Sequence, residues 1–355
     1  MLINVAAALL PVLAFLGILF LMDSFKLVRY GTVAMAVGAG ATSALAAVAF
    51  QTWLGDAAQL SLQSLTRYVA PLSEETLKAV FIVVGLKKRR LGFLVDAAIL
   101  GFAVGTGFAL VENLEYLRWS SDTRLVLWFV RGFGPAILHG ATTAIFAILA
   151  KGLSERHPNR TGLTLAAALL AAIAIHWAYN LFLLPPLITT LVLLVVLPAL
   201  VTFIFGRSER ATHEWVGEGL DLDVDLLNLL TSPDMGGARL GSYLRELRSR
   251  FPGEVVADMF CLLRIELELA IRAKGMLMAR QAGLDVPSDP TLTAKLQEWR
   301  FLQLSIGKTG LLALKPLGAT SERDDWQRYL LEQHGGMTRG QMLREWTRSV
   351  WRRVT

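Results

Sequence analysis

Three stretches of this 355-residue chain, residues 1–22, 30–55 and 161–206, contain no Lys, Arg, Asp or Glu. A helix that crosses the hydrocarbon core of a bilayer needs about 20 consecutive apolar residues, because no water is present there to satisfy its backbone. The first two stretches each read as one span. The third is 46 residues long and holds two, with Pro185 and Pro186 breaking it near the middle. Charge divides the chain the same way. Residues 1–206 carry 23 charged side chains in 206, about 11 %, and residues 207–355 carry 41 in 149, about 28 %. The expectation is an all-α protein: a polytopic membrane helix bundle over residues 1–206, followed by a soluble, mostly helical domain over residues 207–355.

Three further segments, near 67–86, 93–117 and 125–150, have spanning length but contain ionisable residues, which brings the expected number of spans to about seven. Seven spans place Lys26, Arg29, Lys87, Lys88, Arg89, Arg90, Lys151, Arg156 and Arg160 in the odd-numbered loops, and Arg67, Arg118 and Arg124 in the even-numbered ones. Nine positives against three orient the protein with its N-terminus outside and residues 207–355 in the cytoplasm, by the positive-inside rule. The net charge of +6 thus comes from membrane-flanking loops and gives no support for nucleic-acid binding. Residues 1–22 lack the basic start of a secretory leader and are read as a span. The single cysteine, Cys261, makes no intramolecular disulfide.

Ionisable side chains inside a bilayer cost several kcal/mol each, so their positions carry information. At 1.5 Å of rise per residue, Glu74 and Glu75 lie roughly 11 Å in from the outer end of span three, Glu112 roughly 8 Å in on span four and His176 roughly 12 Å in on span six. His139 on span five falls deeper, at roughly 20 Å, unless Gly132, Gly134 and Pro135 bend that helix. Residues four apart share a face, which groups Glu74 with Lys78, Phe108 with Glu112 and Tyr116, and His176 with Asn180. A structural reading of the same residues pairs Glu74 or Glu75 with Lys78 or Arg131. Gly101, Gly105 and Gly107 on span four read as close-packing positions between helices.

A carboxylate beside imidazoles and an amide in a partly dry pocket can take a proton from water while its neighbours stabilise the oxyanion of an attacked peptide carbonyl. No His-Glu-x-x-His zinc signature and no Gly-x-Ser-x-Gly elbow is present. Two Glu and two His also suffice for one divalent metal, and spacing alone does not separate the two mechanisms. The expectation is a centre without a cofactor; if a metal is used, zinc is the candidate and Glu112, His139 and His176 its ligands.

Three motifs then stand in order: Glu74-Glu75-x-x-Lys78, Phe108-x-x-x-Glu112-Asn113-x-x-Tyr116 and His176-x-x-x-Asn180. Together they resemble the PrsW-type intramembrane proteases, related to the CAAX-protease and bacteriocin-processing superfamily, over roughly residues 65–182. The resemblance implies a glutamate-activated water, with Glu74 as base, Glu75 as an orienting partner, Glu112 and His139 as further site residues, and His176 with Asn180 on the oxyanion side. Lys78, Phe108, Asn113 and Tyr116 would support the site or the substrate. It further implies a membrane-anchored protein substrate such as an anti-sigma-factor-like regulator, in a bacterial-type cell membrane; oligomeric state is not implied. An ion-coupled transporter, or a catalytically silent receptor with residues 207–355 as its output, are the competing readings, and no inverted internal repeat supports the former.

In residues 207–355, helical periodicity marks Leu240–Arg248, Val255–Met278 and Trp326–Leu331. Asp221, Asp223 and Asp225 lack the glycine and closing Glu of a calcium loop and read as a solvated helix start. Trp346, Arg348, Trp351, Arg352 and Arg353 suit an amphipathic helix that is solvated or touches the cytoplasmic leaflet.

Overall fold

The structure is a computed structural model. It describes residues 2–317, apart from 24, 26, 89, 90, 121–123, 182, 233–238, 285, 287 and 288, and beyond 317 only Gln327, Leu330 and Leu331. Every regular element among the described residues is helical. The chain forms two compact units, Met1–Arg210 and Ala211–Thr355.

The first unit contains α1 (Leu2–Leu21), α2 (Tyr30–Ala58), the single turn α3 (Leu62–Ser64), a π-helical turn (Leu65–Val69), α4 (Ala70–Lys87), α5 (Leu94–Trp119), α6 (Leu125–Phe133), α7 (Pro135–Arg156), α8 (Thr161–Asn180) and the start of α9 (Pro186–Thr231). Six helical segments are long and apolar enough to cross a membrane: α1, α2, α5, α6 with α7, α8 and α9. The seventh expected span is α4, and its charges keep it from qualifying on composition. Those charges are turned inward. Glu75 and Lys78 are buried, while Leu72, Val80 and Val84 are exposed on the outer side. The expected hairpin in 161–206 is α8 and α9, separated at Pro185 and Pro186. Helix α9 then continues without a break through residue 206, where the composition changes. Lys26, Arg89 and Arg90, three of the nine orienting charges, lie outside the described residues.

Helix α5 is the axis of this unit, with every residue from Val95 to Ala109 buried. It packs on α7 and on α2, and glycine is what permits the approach. A Cβ on Gly105 would collide with the backbone of His139 on α7, and one on Gly107 with the backbone of Val37 on α2. The small residues of α5 therefore set the distance between the helices that carry the polar groups. Helix α6 ends at Gly134, whose backbone (φ −94°, ψ −93°) leaves the helical region, and Pro135 opens α7.

The second unit contains the remainder of α9, α10 (Arg239–Leu247), α11 (Gly253–Gln281) and α12 (Pro290–Leu314). Helix α11 buries Val256, Met259, Leu263, Ala270, Ala273 and Leu277 at the three-to-four spacing expected of an amphipathic helix. Helices α10 and α11 coincide with two of the periodic segments read from sequence. Helix α12, which bends at Gly307 (φ 70°), had no distinct sequence signal. Asp223 is not simply solvated: its Oδ2 is 2.7 Å from Lys274 Nζ. Trp326 and the expected terminal helix with Trp346, Arg348, Trp351, Arg352 and Arg353 lie outside the described residues.

Candidate active site

Four helices of the first unit bring ionisable side chains to one place: α4, α5, α7 and α8. The break at Gly134 matters here. It begins a new helix at Pro135, so His139 sits in the second turn of α7 rather than deep in a straight span, and it joins the other residues instead of lying below them.

Glu75 is the hub. Its Oε1 accepts from Lys78 Nζ at 2.7 Å, from His176 Nδ1 at 2.8 Å and from Thr142 Oγ1 at 3.0 Å. Lys78 therefore pairs with Glu75 three residues earlier, not with Glu74 four earlier as the spacing allowed. Its Nζ also lies 3.2 Å from His139 Nδ1 and over the Phe108 ring at 4.9 Å. A carboxylate only accepts, so His176 donates from Nδ1 to Glu75, and its Nε2 points toward Glu74. With Lys78 donating to His139 Nδ1, His139 donates through Nε2 to Glu112 Oε2 at 2.8 Å. Each imidazole is thus fixed by its own carboxylate, the arrangement that orients metal-bound or catalytic histidines.

Glu74 differs from its neighbour. Gln51 Nε2, from α2, donates to its Oε1 at 3.0 Å, while Oε2 lies 3.9 Å from His139 Nδ1 and 3.9 Å from His176 Nε2. A cavity of about 580 Å³ opens on this group. Glu74, Glu112, His139, His176 and Asn180 line it; Glu75 and Lys78 do not and stand behind the wall. Much of the rest is apolar, including Val48, Leu65, Leu127, Val130 and Leu138.

Arg131 on α6 supports the outer part. Its Nη2 is 3.2 Å from Glu112 Oε1, an ion pair too poorly aligned to be a hydrogen bond. Its Nε donates to Asn113 Oδ1 at 3.1 Å and its guanidinium covers the Tyr116 ring at 4.0 Å. Asn113 in turn donates to the Ala8 carbonyl of α1 at 2.8 Å. Asn113 is therefore a tie between helices, Tyr116 lines the cavity, and Phe108 stacks on His139 at 4.8 Å. Asn180 donates to the Thr66 carbonyl in the π-helical turn at 3.0 Å.

Glu74, His139 and His176 place one ligand atom each within 4.8 Å of one another. Two imidazoles and a carboxylate, each imidazole backed by a second carboxylate, are a suitable donor set for zinc. This grouping differs from the ligand set expected from sequence by holding Glu74 in place of Glu112, whose carboxylate is engaged by Arg131 and His139. The expectation of a centre without a cofactor gains no support from this geometry. Lys78 is the one discordant neighbour, since its ammonium shares the His139 Nδ1 lone pair that a metal would need. Gln51 and Thr142 carried no motif; the only sequence sign of Gln51 was a large polar amide in a charge-free span.

A helical membrane unit with a buried, carboxylate-backed Glu/His/His centre opening on a cavity defines an intramembrane hydrolase. Residues 29–205, half of the chain, match the family described as PrsW family intramembrane metalloprotease, and the chain belongs to that family as an intramembrane protease. No curated protein and no solved structure matches it.

Proposed function

We propose that this centre hydrolyses a peptide bond of a membrane-anchored protein, with Glu74 Oε2 taking the proton of the attacking water. The observation that carries the reading is the placement of Glu74, which lines the cavity with Oε1 held by Gln51 and Oε2 turned toward both imidazoles. A carboxylate placed beside water in this way acts as a general base. In this step His176 Nε2, 3.9 Å from Glu74 Oε2, is the second acceptor within reach and holds the proton until the leaving amine takes it. The Asn180 amide has one N–H on Thr66 and a second for the oxyanion. Glu75, Lys78 and Thr142 keep His176 in its tautomer, and Glu112 with Arg131 does the same for His139. The apolar wall excludes bulk water and receives the side chains around an unwound segment of substrate.

The residues that would hold a divalent metal, zinc by donor chemistry, are Glu74, His139 and His176; such an ion supplies polarisation of the scissile carbonyl and a lowered pKa for its water. The Lys78 contact on His139 Nδ1 favours a second reading, in which the ammonium stays and Glu74 works alone. The two readings are alternatives, because a bound ion would occupy the Glu74 and His176 atoms that otherwise take the proton; as base or as ligand, Glu74 is indispensable in both. The loop charges support a site near the outer face with residues 207–355 in the cytoplasm, suited to single-span regulators of the anti-sigma-factor type.

The test is cleavage of a membrane-anchored reporter by the purified protein, with folded protein quantified in parallel. Glu74→Gln keeps size and the Gln51 contact but cannot accept the proton, so turnover is abolished while folded yield is retained. Full activity in Glu74→Gln overturns the proposal.

A further inference from the structure

We infer that Gln51 is a positioning residue for this centre: it fixes which oxygen of Glu74 does the work. The inference rests on the proposed role of Glu74 and goes beyond it to a neutral amide on a helix, α2, that contributes no ionisable group to the cavity lining.

A glutamate has three rotatable bonds and two equivalent oxygens, and neither imidazole is within hydrogen-bonding distance of Glu74: both stand at 3.9 Å from Oε2. Those contacts alone would leave the carboxylate free to turn. Gln51 removes that freedom. Its Nε2 donates one hydrogen to Glu74 Oε1 at 3.0 Å and lies 3.1 Å from Ser73 Oγ, which accepts the other. Ser73 Oγ is itself anchored, donating to the Val69 carbonyl at 2.9 Å. With Oε1 held from the α2 side, Oε2 is the atom left between the imidazoles, 3.9 Å from both His139 Nδ1 and His176 Nε2. The centre then has one predetermined acceptor or ligand atom, and little reorganisation is needed when water or a cation arrives.

The anchor comes from a different helix than the carboxylate it holds, although it lines the same cavity. Gln51 sits on α2, which packs on α5 through Gly107, so the same close approach that builds the helix core sets the reach of the amide to Glu74. A residue with this role touches the reacting carboxylate through its far oxygen. Its removal loosens the carboxylate without removing it.

Gln51→Met keeps the volume and removes the donor. In purified full-length protein, zinc affinity measured by competition with a chelator is expected to fall about 10- to 100-fold, the usual consequence of losing an outer partner of a ligand. Reporter cleavage is expected to lose kcat by about the same factor with KM within about twofold. Ser73→Ala, which leaves the Gln51–Glu74 bond in place, changes both by less than about threefold. Gln51→Glu, which sets a like charge against Glu74, is at least as damaging as Gln51→Met and serves if the latter does not accumulate. A merely structural Gln51 would lower folded yield and melting temperature and leave kcat per folded molecule unchanged; that outcome, or unaltered kcat and zinc affinity together, overturns the inference. If Glu74→Gln is inactive while Gln51→Met matches the wild type, the positioning role fails and the reading of Glu74 stands. If Glu74→Gln is active, the reading itself fails.

Discussion

Both units bury charge, and they do so differently. In the second unit the buried Lys274 meets Asp223 at 2.7 Å with its ammonium also over the Trp215 ring, and a more exposed pair, Lys295 with Glu268, meets at 2.6 Å. These ties join one helix to the next. In the first unit Glu75, Lys78, His139 and His176 share partners across three helices, and beside them stands a carboxylate, Glu74, that lines a cavity. Burial of a charge is therefore not by itself a sign of function in this chain. A shared network beside a cavity-lining carboxylate is, because its members restrain each other's tautomers and no stability gain requires a carboxylate there.

The largest effect that can sharpen this contrast is loss of the centre's cation. With donors from Glu74, His139 and His176 within 4.8 Å, exhaustive chelation is expected to abolish cleavage, and stoichiometric zinc to restore it in the wild type but not in His176→Ala. Metal content by mass spectrometry and reporter cleavage are the measurements. Activity that survives chelation with no metal present would assign the centre to the form in which Lys78 keeps His139 Nδ1 and Glu74 alone handles the proton.

A middle-sized effect probes the other unit. Lys274→Met removes one partner of a largely buried pair whose carboxylate still reaches some solvent, with side-chain exposures of 5 % and 15 %. Breaking such a tie is expected to cost about 2 kcal/mol, below the 3–5 kcal/mol of a fully buried pair. Hydrogen exchange along α11 should accelerate accordingly, while reporter turnover per folded molecule stays unchanged. A fall in turnover without a change in exchange would make this pair part of the catalytic function and erase the contrast.

The sequence carried most of this contrast and lost some of it for physical reasons. Charge-free runs placed the spans, and the proline pair at 185 and 186 placed the break between α8 and α9, because membranes tolerate few alternatives. Helical spacing placed Glu74, Glu112 and His176 near one depth. It put His139 too deep, since a rise of 1.5 Å per residue assumes a straight helix and the chain restarts at Pro135. It left the Lys78 partner open between Glu74 and Glu75, as both three- and four-residue spacings reach it; tertiary contacts with Thr142 and His176 decided for Glu75. It set Arg131 among partners for Glu74 or Glu75, whereas α6 delivers it to Glu112. Gln51 was out of reach, because a hydrogen bond between residues 23 apart leaves no periodic trace.

The smallest expected effect separates the units by pH. Asp289 precedes α12 and accepts at Oδ1 from Thr291 Oγ1 at 2.7 Å and from Thr291 N at 2.8 Å. These bonds, with Arg272 close by, hold its carboxyl below the ordinary aspartate value. A carboxyl whose pKa is lower folded than unfolded stabilises the fold above the unfolded value of about 3.9, and the stabilisation fades as pH falls through the folded value. Asp289→Asn keeps an acceptor oxygen and removes only the charge, so the variant should be slightly less stable than wild type near pH 7 and equal to it at pH 2–3. Chemical denaturation across that range is the measurement. Because the Arg272 partner is exposed, salt should shrink the difference as well, and reporter turnover at neutral pH should not respond. A difference that grows on acidification would mean that the carboxyl binds its proton more tightly when folded, reversing the sign given by its hydrogen bonds.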